Sequence, residues 1–265
     1  MKNSLINILN QDNGILRLTL DDENNKNALS EVMISELIEA IGEANNNKEV
    51  KVIIIASNGN VFCSGHNLKE ITAARNNNDK GESYFMNLFE LCSALMQLIV
   101  SCSKPVIAEV DGIATAAGCQ LVASCDLAIS SSTAKFATPG VNIGLFCSTP
   151  MVALSRNVSK KEAMKMLLTG DMIDAVEAKR ISLINDYVSD DKLEESVNNL
   201  ALKISKKSSM TVKIGKEAFY KQAEMSLSDA YAYTSVVMAQ NTLNDDAKEG
   251  ISSFIEKRDP SWQDN

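Results

Sequence analysis

The chain has 265 residues, 45% of them hydrophobic and 23% charged, which is typical of a globular protein with one large domain or one domain and an appendage. Its formal net charge of −8 disfavours nonspecific binding to nucleic acid or to an anionic membrane surface. The sequence has no run of about 18 apolar residues, no Walker loop and no GxGxxG motif, so we predict neither a membrane span nor a nucleotide-phosphate or dinucleotide site.

Apolar, β-branched runs alternate with helical patterns along the first half of the chain. This alternation predicts strands at 15–20, 50–56, 105–110 and 126–130, and helices at 29–44, at 85–99 and up to residue 124. Further on, we predict a short strand and turn at 136–145, helices opened by capping boxes at Ser159 and Asp174, and a strand at 187–188. The pattern predicts an α/β core with a parallel sheet over 1–195 and an all-helical region over 196–265 that forms an appendage or an interface.

Two turns that contain glycine follow apolar, strand-like runs. The first is FCSGHNLKE at 62–70, and the second is DGIATAAGCQL at 111–121. Each is predicted to lead into a helix, where backbone N–H groups lack helical acceptors. If the two turns face each other, they can hold one oxygen atom between two N–H donors, which is the arrangement of an oxyanion hole.

The cysteine and histidine content limits the possible chemistry. The six cysteines form no CxxC pair and lie mostly in apolar context, so we predict buried, reduced thiols. The one histidine, His66, excludes a metal site built from several histidines, and we predict no metal. The N-terminus shows neither a signal sequence nor a transit pattern, so we expect a cytoplasmic location, with the mitochondrial matrix as the alternative if a transit peptide has been removed.

Taken together, these segments resemble the crotonase (enoyl-CoA hydratase/isomerase) superfamily over nearly the whole chain. The matching pieces are NALS at 27–30, FCSGHNLKE at 62–70, Asp111-Gly112 with Gly118, Cys125-Asp126, and FIEKR at 254–258. Segments 112–126 and 136–150 look most similar to the subgroup of mitochondrial enoyl-CoA hydratase domain-containing protein 3 and its bacterial relatives. The resemblance implies a spiral of ββα units with a C-terminal helical trimerisation region, in a homotrimer or a dimer of trimers.

The resemblance also implies a ligand and a site. The ligand would be an acyl-CoA, with coenzyme A as part of the substrate and no separate cofactor. By motif position, the backbone N–H groups of His66 and Ala117 would hold the thioester oxygen. Further contacts to the substrate are expected from Lys26, Ala28, Ser64, Gly65, His66, Asn67, Leu68, Lys69 and Gly118, and from Lys257 of a neighbouring subunit. A solvated surface remains the alternative role for each lysine.

The sequence departs from the family at both positions where hydratases carry the glutamates that activate water. Gln120 and Gly140 stand there, and neither is a general base. We therefore expect classical hydration to be weak or lost. Glu70, Glu90, Glu109 and Asp111 are candidate substitutes, and Gly140 could instead leave room for bicarbonate.

Several functions remain open. The resemblance implies a lyase or isomerase of fatty-acid metabolism, and the step after thioester polarisation could be isomerisation, decarboxylation, thioester hydrolysis or slow hydration. A non-catalytic acyl-CoA sensor or structural oligomer is the main alternative. A third possibility is a thioesterase that uses the side chain of His66 with Cys63 or Cys119; for His66 itself, a role of the backbone alone is favoured over an imidazole base.

Overall fold

The computed structural model describes residues 4–264. Its larger sheet has six strands in the order β1-β2-β3-β4-β6-β9, and only the β1–β2 pair is antiparallel. These strands are β1 (Ile6–Gln11), β2 (Ile15–Leu20), β3 (Val52–Ser57), β4 (Val106–Val110), β6 (Leu127–Ser131) and β9 (Asp186–Val188). A smaller sheet contains β5 (Ile113–Thr115), β7 (Lys135–Ala137) and β8 (Ile173–Asp174).

Helices occupy most of the remaining chain. They are α1 (Glu31–Asn46), α2 (Leu68–Ala74), α3 (Glu82–Ser101), α4 (Ala117–Ser124), α5 (Pro150–Asn157), α6 (Lys160–Thr169), α7 (Ala175–Arg180), α8 (Leu193–Ser205), α9 (Ser209–Gln222), α10 (Leu227–Thr242) and α11 (Asp245–Glu256). A short 3-10 helix at Pro139–Ile143 follows β7. The predicted α/β class and parallel sheet are confirmed.

Both faces of the larger sheet are covered, which explains why its central strands read as unbroken apolar runs. The main core packs α1, α3 and α4 against one face. On the other face, α8 buries Leu193, Val197 and Ala201 against Ile54 and Ile107. The expected boundary between residues 195 and 196 falls inside α8, and this helix packs on the core sheet.

The helical C-terminal region is attached to the core by polar contacts. The ammonium of Lys216 on α9 donates to Asp126 Oδ2 at 2.6 Å and to the carbonyl oxygens of Ile99 and Lys104 at 2.9 and 3.0 Å. The Tyr220 hydroxyl donates to Asp126 Oδ1 at 2.9 Å. Asp126 therefore has the structural role that its position between helix and strand suggests.

Helix α3 is long and apolar enough to cross a membrane by length and composition alone. In the fold it contributes five buried side chains to the main core: Leu88, Cys92, Leu95, Met96 and Ile99. We therefore assign α3 as a helix of the folded domain.

Candidate functional site

The first turn, at 63–66, is anchored to the smaller sheet and to the entrance of α1. The Cys63 N–H donates to the Ile113 carbonyl at 3.1 Å, and the Thr115 N–H donates to the Cys63 carbonyl at 2.9 Å. The Gly65 carbonyl accepts from the Leu29 N–H at 2.8 Å. These bonds fix the backbone on either side of Ser64.

The second turn contains an alanine in a backbone conformation that ordinarily requires glycine. Ala116 has φ 52° and ψ −118° and immediately precedes the first residue of α4, Ala117. Its N–H donates to the Ala137 carbonyl at 2.9 Å, and its carbonyl accepts from the Gln120 N–H at 3.0 Å. Strain of this kind costs about 1–3 kcal/mol and persists only where the surroundings enforce it.

The two turns are in direct contact, and glycine is required on both sides of that contact. A Cβ at Gly65 would lie 2.9 Å from the Ala116 Cβ and 3.2 Å from the Ala117 nitrogen. A Cβ at Gly118 would lie 2.1 Å from the Cys63 carbonyl oxygen. The close contact between the two turns therefore depends on the absence of a side chain at Gly65 and at Gly118.

Several backbone donors of the contacting turns remain unused, and the two at the expected positions are among them. Within 4–264, the N–H groups of His66 and Ala117 have no hydrogen-bond acceptor. Ala117 is the first residue of α4, so its N–H is one of those that a helix leaves unpaired. Two backbone N–H groups of this kind can donate to one oxygen of a ligand.

Most of the expected contact residues lie around the first turn. Lys26 is exposed, and its carbonyl accepts from the Ser64 N–H at 3.2 Å. Lys69 is also exposed, and its ammonium donates to Asn25 Oδ1 at 3.3 Å. Asn67 caps α2 by accepting from the Lys69 N–H at 3.0 Å. The structure therefore brings both lysines to one edge of the turn.

The other expected contact residues differ in their surroundings. Ala28 is buried, and Leu68, the first residue of α2, is 53% exposed. Lys257 lies at the exposed end of α11 in a left-handed conformation, with φ 55°. In the described part of the chain, no hydrogen bond joins Lys257 to either turn.

The positions of the missing glutamates have different surroundings. Gln120 is only 4% exposed, and its side-chain Oε1 has no hydrogen-bond partner. At Gly140, a Cβ would lie 2.6 Å from the Leu145 carbonyl oxygen and 2.9 Å from Cys147 Sγ. The space that a side chain would enter at residue 140 is already filled, and the structure does not support the expected room for bicarbonate there.

Of the candidate substitute bases, Glu109 is already engaged elsewhere. Its two carboxylate oxygens each accept from the Arg17 guanidinium at 2.8 Å, and Arg17 also donates to Asn198 of α8 at 3.2 Å. Glu109 therefore lies on the α8 side of the sheet, and its pairing with Arg17 argues against a role as substitute base.

The three remaining carboxylates are not buried. Glu70 accepts from the Tyr84 hydroxyl at 3.1 Å and is partly exposed. Glu90 and Asp111 are exposed.

The thiols do not favour nucleophilic catalysis. All six cysteines are free and buried. Burial raises the pKa of the Cys63 thiol to about 12, and it raises the pKa of the Cys119 thiol to about 12 as well. Since the thiolate is the nucleophile, this argues against a cysteine thioesterase.

The His66 side chain is held between two elements. Its Nδ1 lies 3.3 Å from the Leu29 carbonyl oxygen, and its ring meets Phe89 of α3 edge-on at a centroid distance of 5.4 Å. Burial lowers the pKa of the imidazole, although the bond to the Leu29 carbonyl opposes this shift. The second imidazole nitrogen, Nε2, is buried without a partner.

Sequence reasoning missed three residues of this region. Asn27, part of the NALS match, is buried, and its side chain bonds to the Asp22 N–H and to the Asn58 and Val61 carbonyls. Thr138 is 1% exposed, with an unpartnered hydroxyl. Ala116 carries the strained backbone described above. An Asn beside a polar turn is a sequence signal that could have identified Asn27. The surroundings of Thr138 and the conformation of Ala116 depend on contacts with residues that are distant in the sequence.

Comparison with known proteins agrees with this architecture. The model of the family "Enoyl-CoA hydratase/isomerase" matches residues 10–265. Enoyl-CoA hydratase domain-containing protein 3, mitochondrial, from Xenopus laevis is 47% identical over 262 residues, which cover 99% of this chain and 87% of the relative. The human protein of the same name is 45% identical over 249 residues, covering 94% and 80%.

Solved structures give the same result. An enoyl-CoA hydratase from Mycobacterium smegmatis has a TM-score of 0.93 at 42% identity, covering 98% of this chain and 99% of that one. Human enoyl Coenzyme A hydratase domain-containing protein 3 has a TM-score of 0.92 at 43% identity, covering 97% and 100%. The predicted crotonase-like fold and the predicted similarity to this subgroup are confirmed.

The comparisons correct one expectation and identify the family. The expected cytoplasmic location is wrong, because the relatives from frog, rat, mouse, human and zebrafish are all named mitochondrial. The family match over residues 10–265, the relatives at up to 47% identity and the shared fold lead to one conclusion. The chain belongs to the enoyl-CoA hydratase/isomerase family.

Proposed function

We propose that this protein binds an acyl-CoA and polarises its thioester carbonyl between the backbone N–H groups of His66 and Ala117, as an enzyme of fatty-acid metabolism. The observation that carries the proposal is the pair of unpaired N–H groups on two contacting turns. Membership of a family named for enoyl-CoA chemistry supports an acyl-CoA as the ligand.

The two N–H donors of His66 and Ala117 would act on the thioester oxygen of the ligand. A thioester oxygen gains negative charge when the acyl group becomes an enolate or a tetrahedral adduct. Fixed N–H donors stabilise that charge without reorganising, and losing one typically costs about 10²–10³-fold in rate. Lys26 and Lys69, both exposed beside the first turn, would bind the phosphate groups of coenzyme A.

We propose a homotrimer or a dimer of trimers as the assembly. The C-terminal helices expose large apolar side chains that a single chain leaves uncovered, among them Leu227, Leu243, Phe254 and Ile255 at 76%, 85%, 84% and 72%. Large exposed apolar side chains in one region of the chain favour contact with another protein surface. In such an assembly Lys257 would reach the coenzyme A bound by a neighbouring subunit.

We propose that classical hydration is weak. Gln120 is neutral, and its amide cannot take a proton from water at ordinary pH. Gly140 has no side chain, and the space beside it is filled by Leu145 and Cys147. Isomerisation, decarboxylation and thioester hydrolysis need not use both glutamates, so they remain the candidate reactions.

The decisive measurement is the loss of crotonyl-CoA ultraviolet absorbance with the wild type, Gln120→Glu and Gln120→Leu. We expect a slow wild type and a gain of about 10²-fold for Gln120→Glu, since a carboxylate at this buried position has a raised pKa suited to a general base. Gln120→Leu is the control and should show no gain. Fast hydration by the wild type would contradict the proposed weakness.

A panel of acyl-CoAs then separates enzyme from sensor. An enzyme should convert at least one member of the panel, detected as a new product or as free thiol. A sensor should bind members with measurable affinity and leave every thioester intact. If no acyl-CoA binds, the proposed function itself is wrong.

We also propose a mitochondrial location, on the names of the five relatives. Fractionation of cells that express the tagged protein tests it. Recovery outside the mitochondrial fraction would contradict it.

A further inference from the structure

The segment that joins α8 to α9 is basic, although the chain as a whole is acidic. The stretch LKISKKSSMTVKIGK at 202–216 contains five lysines and no acidic residue, in a chain whose formal net charge is −8. Four of these lysines are exposed and form no ion pair within residues 4–264: Lys203, Lys206, Lys207 and Lys213. Because salt screens charges beyond about 10 Å, such a patch attracts an anionic partner even where the net charge of the protein repels it.

The fold brings this segment to the edge of the larger sheet where the parallel strands begin. The Ser209 N–H donates to Asp264 Oδ1 at 2.6 Å, and Asp264 Oδ2 accepts from the Lys51 ammonium at 2.8 Å. Lys51 is the residue before β3. Farther along α9, the Lys216 ammonium donates to the Lys104 carbonyl at 3.0 Å, and Lys104 lies two residues before β4. The basic segment therefore lies beside the start of two neighbouring strands.

Lys104 adds a further positive charge to this edge. It is half-buried, and the described part of the chain gives it no ion pair. Desolvation lowers the pKa of Lys104, and the charges of Lys213 and Lys51 lower it further, although Asp264 acts in the opposite direction. Asp264 neutralises Lys51, whereas Lys104 and Lys213 are left to repel each other. We refer to four lysines as the basic edge: Lys104, Lys206, Lys207 and Lys213.

An open groove with a volume of about 290 Å³ adjoins the basic edge. Pro105, Val212 and Phe219 line it, and Phe219 is 63% exposed. Pro105 directly follows Lys104 in the sequence, and Val212 directly precedes Lys213. Apolar surface therefore lies next to positive charge that has no counter-ion in the chain.

The charged side chains inside the groove are already paired with each other. The Asp126 carboxylate accepts from the Lys216 ammonium at 2.6 Å and from the Tyr220 hydroxyl at 2.9 Å. The other two donors of Lys216 bond to backbone carbonyls. What the groove offers to a partner is therefore chiefly apolar contact.

We propose that the basic edge and this groove form a docking surface for a membrane that contains anionic phospholipids. The lysines face the phosphate groups, and Phe219 enters the interfacial layer, where aromatic side chains are favoured. Positive charge beside apolar contact fits a lipid, whereas the bases of a nucleic acid are read through hydrogen bonds that the paired side chains of the groove do not supply. This surface is separate from the proposed acyl-CoA site, so the two proposals stand or fall independently.

Strand β4 separates the docking surface from the two turns. Lys104 lies two residues before this strand, and the turn at 111–121 begins directly after it. Its five residues span about 17 Å. A protein docked through the basic edge therefore presents the two turns on the side away from the lipid.

The test is flotation of the full chain with vesicles of phosphatidylcholine alone and with vesicles of phosphatidylcholine and phosphatidylglycerol in equal parts. We expect binding only to the anionic vesicles at ~0.1 M salt and release at ~1 M salt, where the Debye length falls from about 10 Å to about 3 Å. The double variant Lys206→Gln, Lys213→Gln should bind about 25-fold more weakly, because each lysine near an anionic surface contributes about fivefold in affinity.

The matched control is the double variant Lys80→Gln, Lys135→Gln, which removes the same charge from two other exposed residues. Lys80 lies before α3 and Lys104 lies after it, so the length of a 20-residue helix separates Lys80 from the basic edge. Lys135 is the first residue of β7 in the smaller sheet. This control should bind as the wild type does. Phe219→Ser should weaken binding without changing its dependence on salt, since it removes apolar contact and no charge.

Four results would overturn the docking surface. Absence of binding to both kinds of vesicle, or equal binding to both, would show that anionic lipid is not the partner. An equal loss in the two lysine double variants would place the contact elsewhere on the protein. Binding to single-stranded RNA without binding to any vesicle would assign the basic edge to nucleic acid.

Discussion

The ammonium of Lys216 on α9 lies 2.6 Å from Asp126 at the start of β6, and only 7% of the Lys216 side chain is exposed. All three donors of this ammonium have acceptors: Asp126 and two backbone carbonyls. One side chain therefore links a helix of the C-terminal region to the core.

Replacing Lys216 by methionine should loosen that link. Lys216→Met leaves the Asp126 carboxylate partly uncompensated, and breaking a buried pair costs about 3–5 kcal/mol. We expect the free energy of unfolding to fall by an amount near the lower limit of this range, because Asp126 keeps its hydrogen bonds from the Tyr220 hydroxyl and the Val106 N–H. Urea unfolding measures it, with exposed Lys213→Met on the same helix as the control. Equal stability of the two variants would refute the role of this link.

Glu109 and Arg17 should prove structural and not catalytic. Glu109→Gln leaves the buried Arg17 guanidinium without its counter-charge, and we expect the free energy of unfolding to fall by about 2–3 kcal/mol. The double variant Arg17→Met, Glu109→Leu should recover much of that loss, because it removes both charges. Turnover per folded molecule should not change in Glu109→Gln. A selective loss of turnover would return Glu109 to the list of candidate bases.

Gly118 and Gly42 should respond oppositely to alanine. Gly118→Ala places a Cβ 2.1 Å from the Cys63 carbonyl oxygen, which would force the two turns apart at a cost of at least about 3 kcal/mol. Gly42 lies inside α1 with no atom within 4 Å of its added Cβ, so Gly42→Ala should stabilise by about 0.5–1 kcal/mol. Thermal unfolding of both variants checks this. Tolerance of Gly118→Ala would mean that the turns are not in close contact.

Ala116→Gly should separate stability from ligand binding. Glycine adopts φ 52°, ψ −118° without strain, so relief of about 1–3 kcal/mol should exceed the entropic cost of glycine. We expect a net gain of about 1 kcal/mol in the free energy of unfolding. Affinity for crotonyl-CoA should fall a few-fold, since the Ala117 N–H is held less firmly. Denaturant unfolding and calorimetry on the same preparation give both values. A loss of stability would show that Ala116 is not strained.

His66 should contribute a defined part of the pH dependence of stability. Because burial lowers its pKa in the folded state, the unfolded chain binds more protons just below the ordinary value of about 6.5. The contribution of His66 to the free energy of unfolding is present above pH ~6.5 and is lost as the pH falls towards the pKa of His66 in the folded state. Between about pH 7.5 and 5.5, the wild type should therefore lose more stability than His66→Phe does. Identical losses would contradict a lowered pKa.

Local signals accounted for much of the fold. Helices begin after Ser159 and Asp174 as the predicted capping boxes indicate, and each of these side chains accepts from the N–H three residues later. The strands at 52–57 and 106–110 were found because both faces are covered, which makes their sequences unmistakably apolar. In contrast, β1 was missed, since only Ile6 on it is buried and the rest of the strand is polar or exposed.

Features that depend on distant contacts were not predictable. The partner of Glu109 lies on β2, and the residues between them in the sequence give no sign of it. The conformation of Ala116 is set by its bond to Ala137 and by contact with Gly65, so its own sequence reads as an ordinary small residue. The filled space beside Gly140 depends on how residues 145–147 fold back. The sequence was sufficient to identify the two turns, but it did not reveal the contacts that the surrounding residues make.

The contact at Gly140 also limits how a descendant of this protein could gain an acidic group at that position. A glutamate at position 140 would collide at once with the Leu145 carbonyl and with Cys147, so the substitution is harmful before it can be useful. The segment at 145–147 would have to change first, with no catalytic benefit of its own. A glutamate at position 120 requires no earlier change of the backbone, because a long side chain is already present there. Acquisition of two carboxylates is therefore ordered only at position 140, where the segment at 145–147 must change before the residue itself.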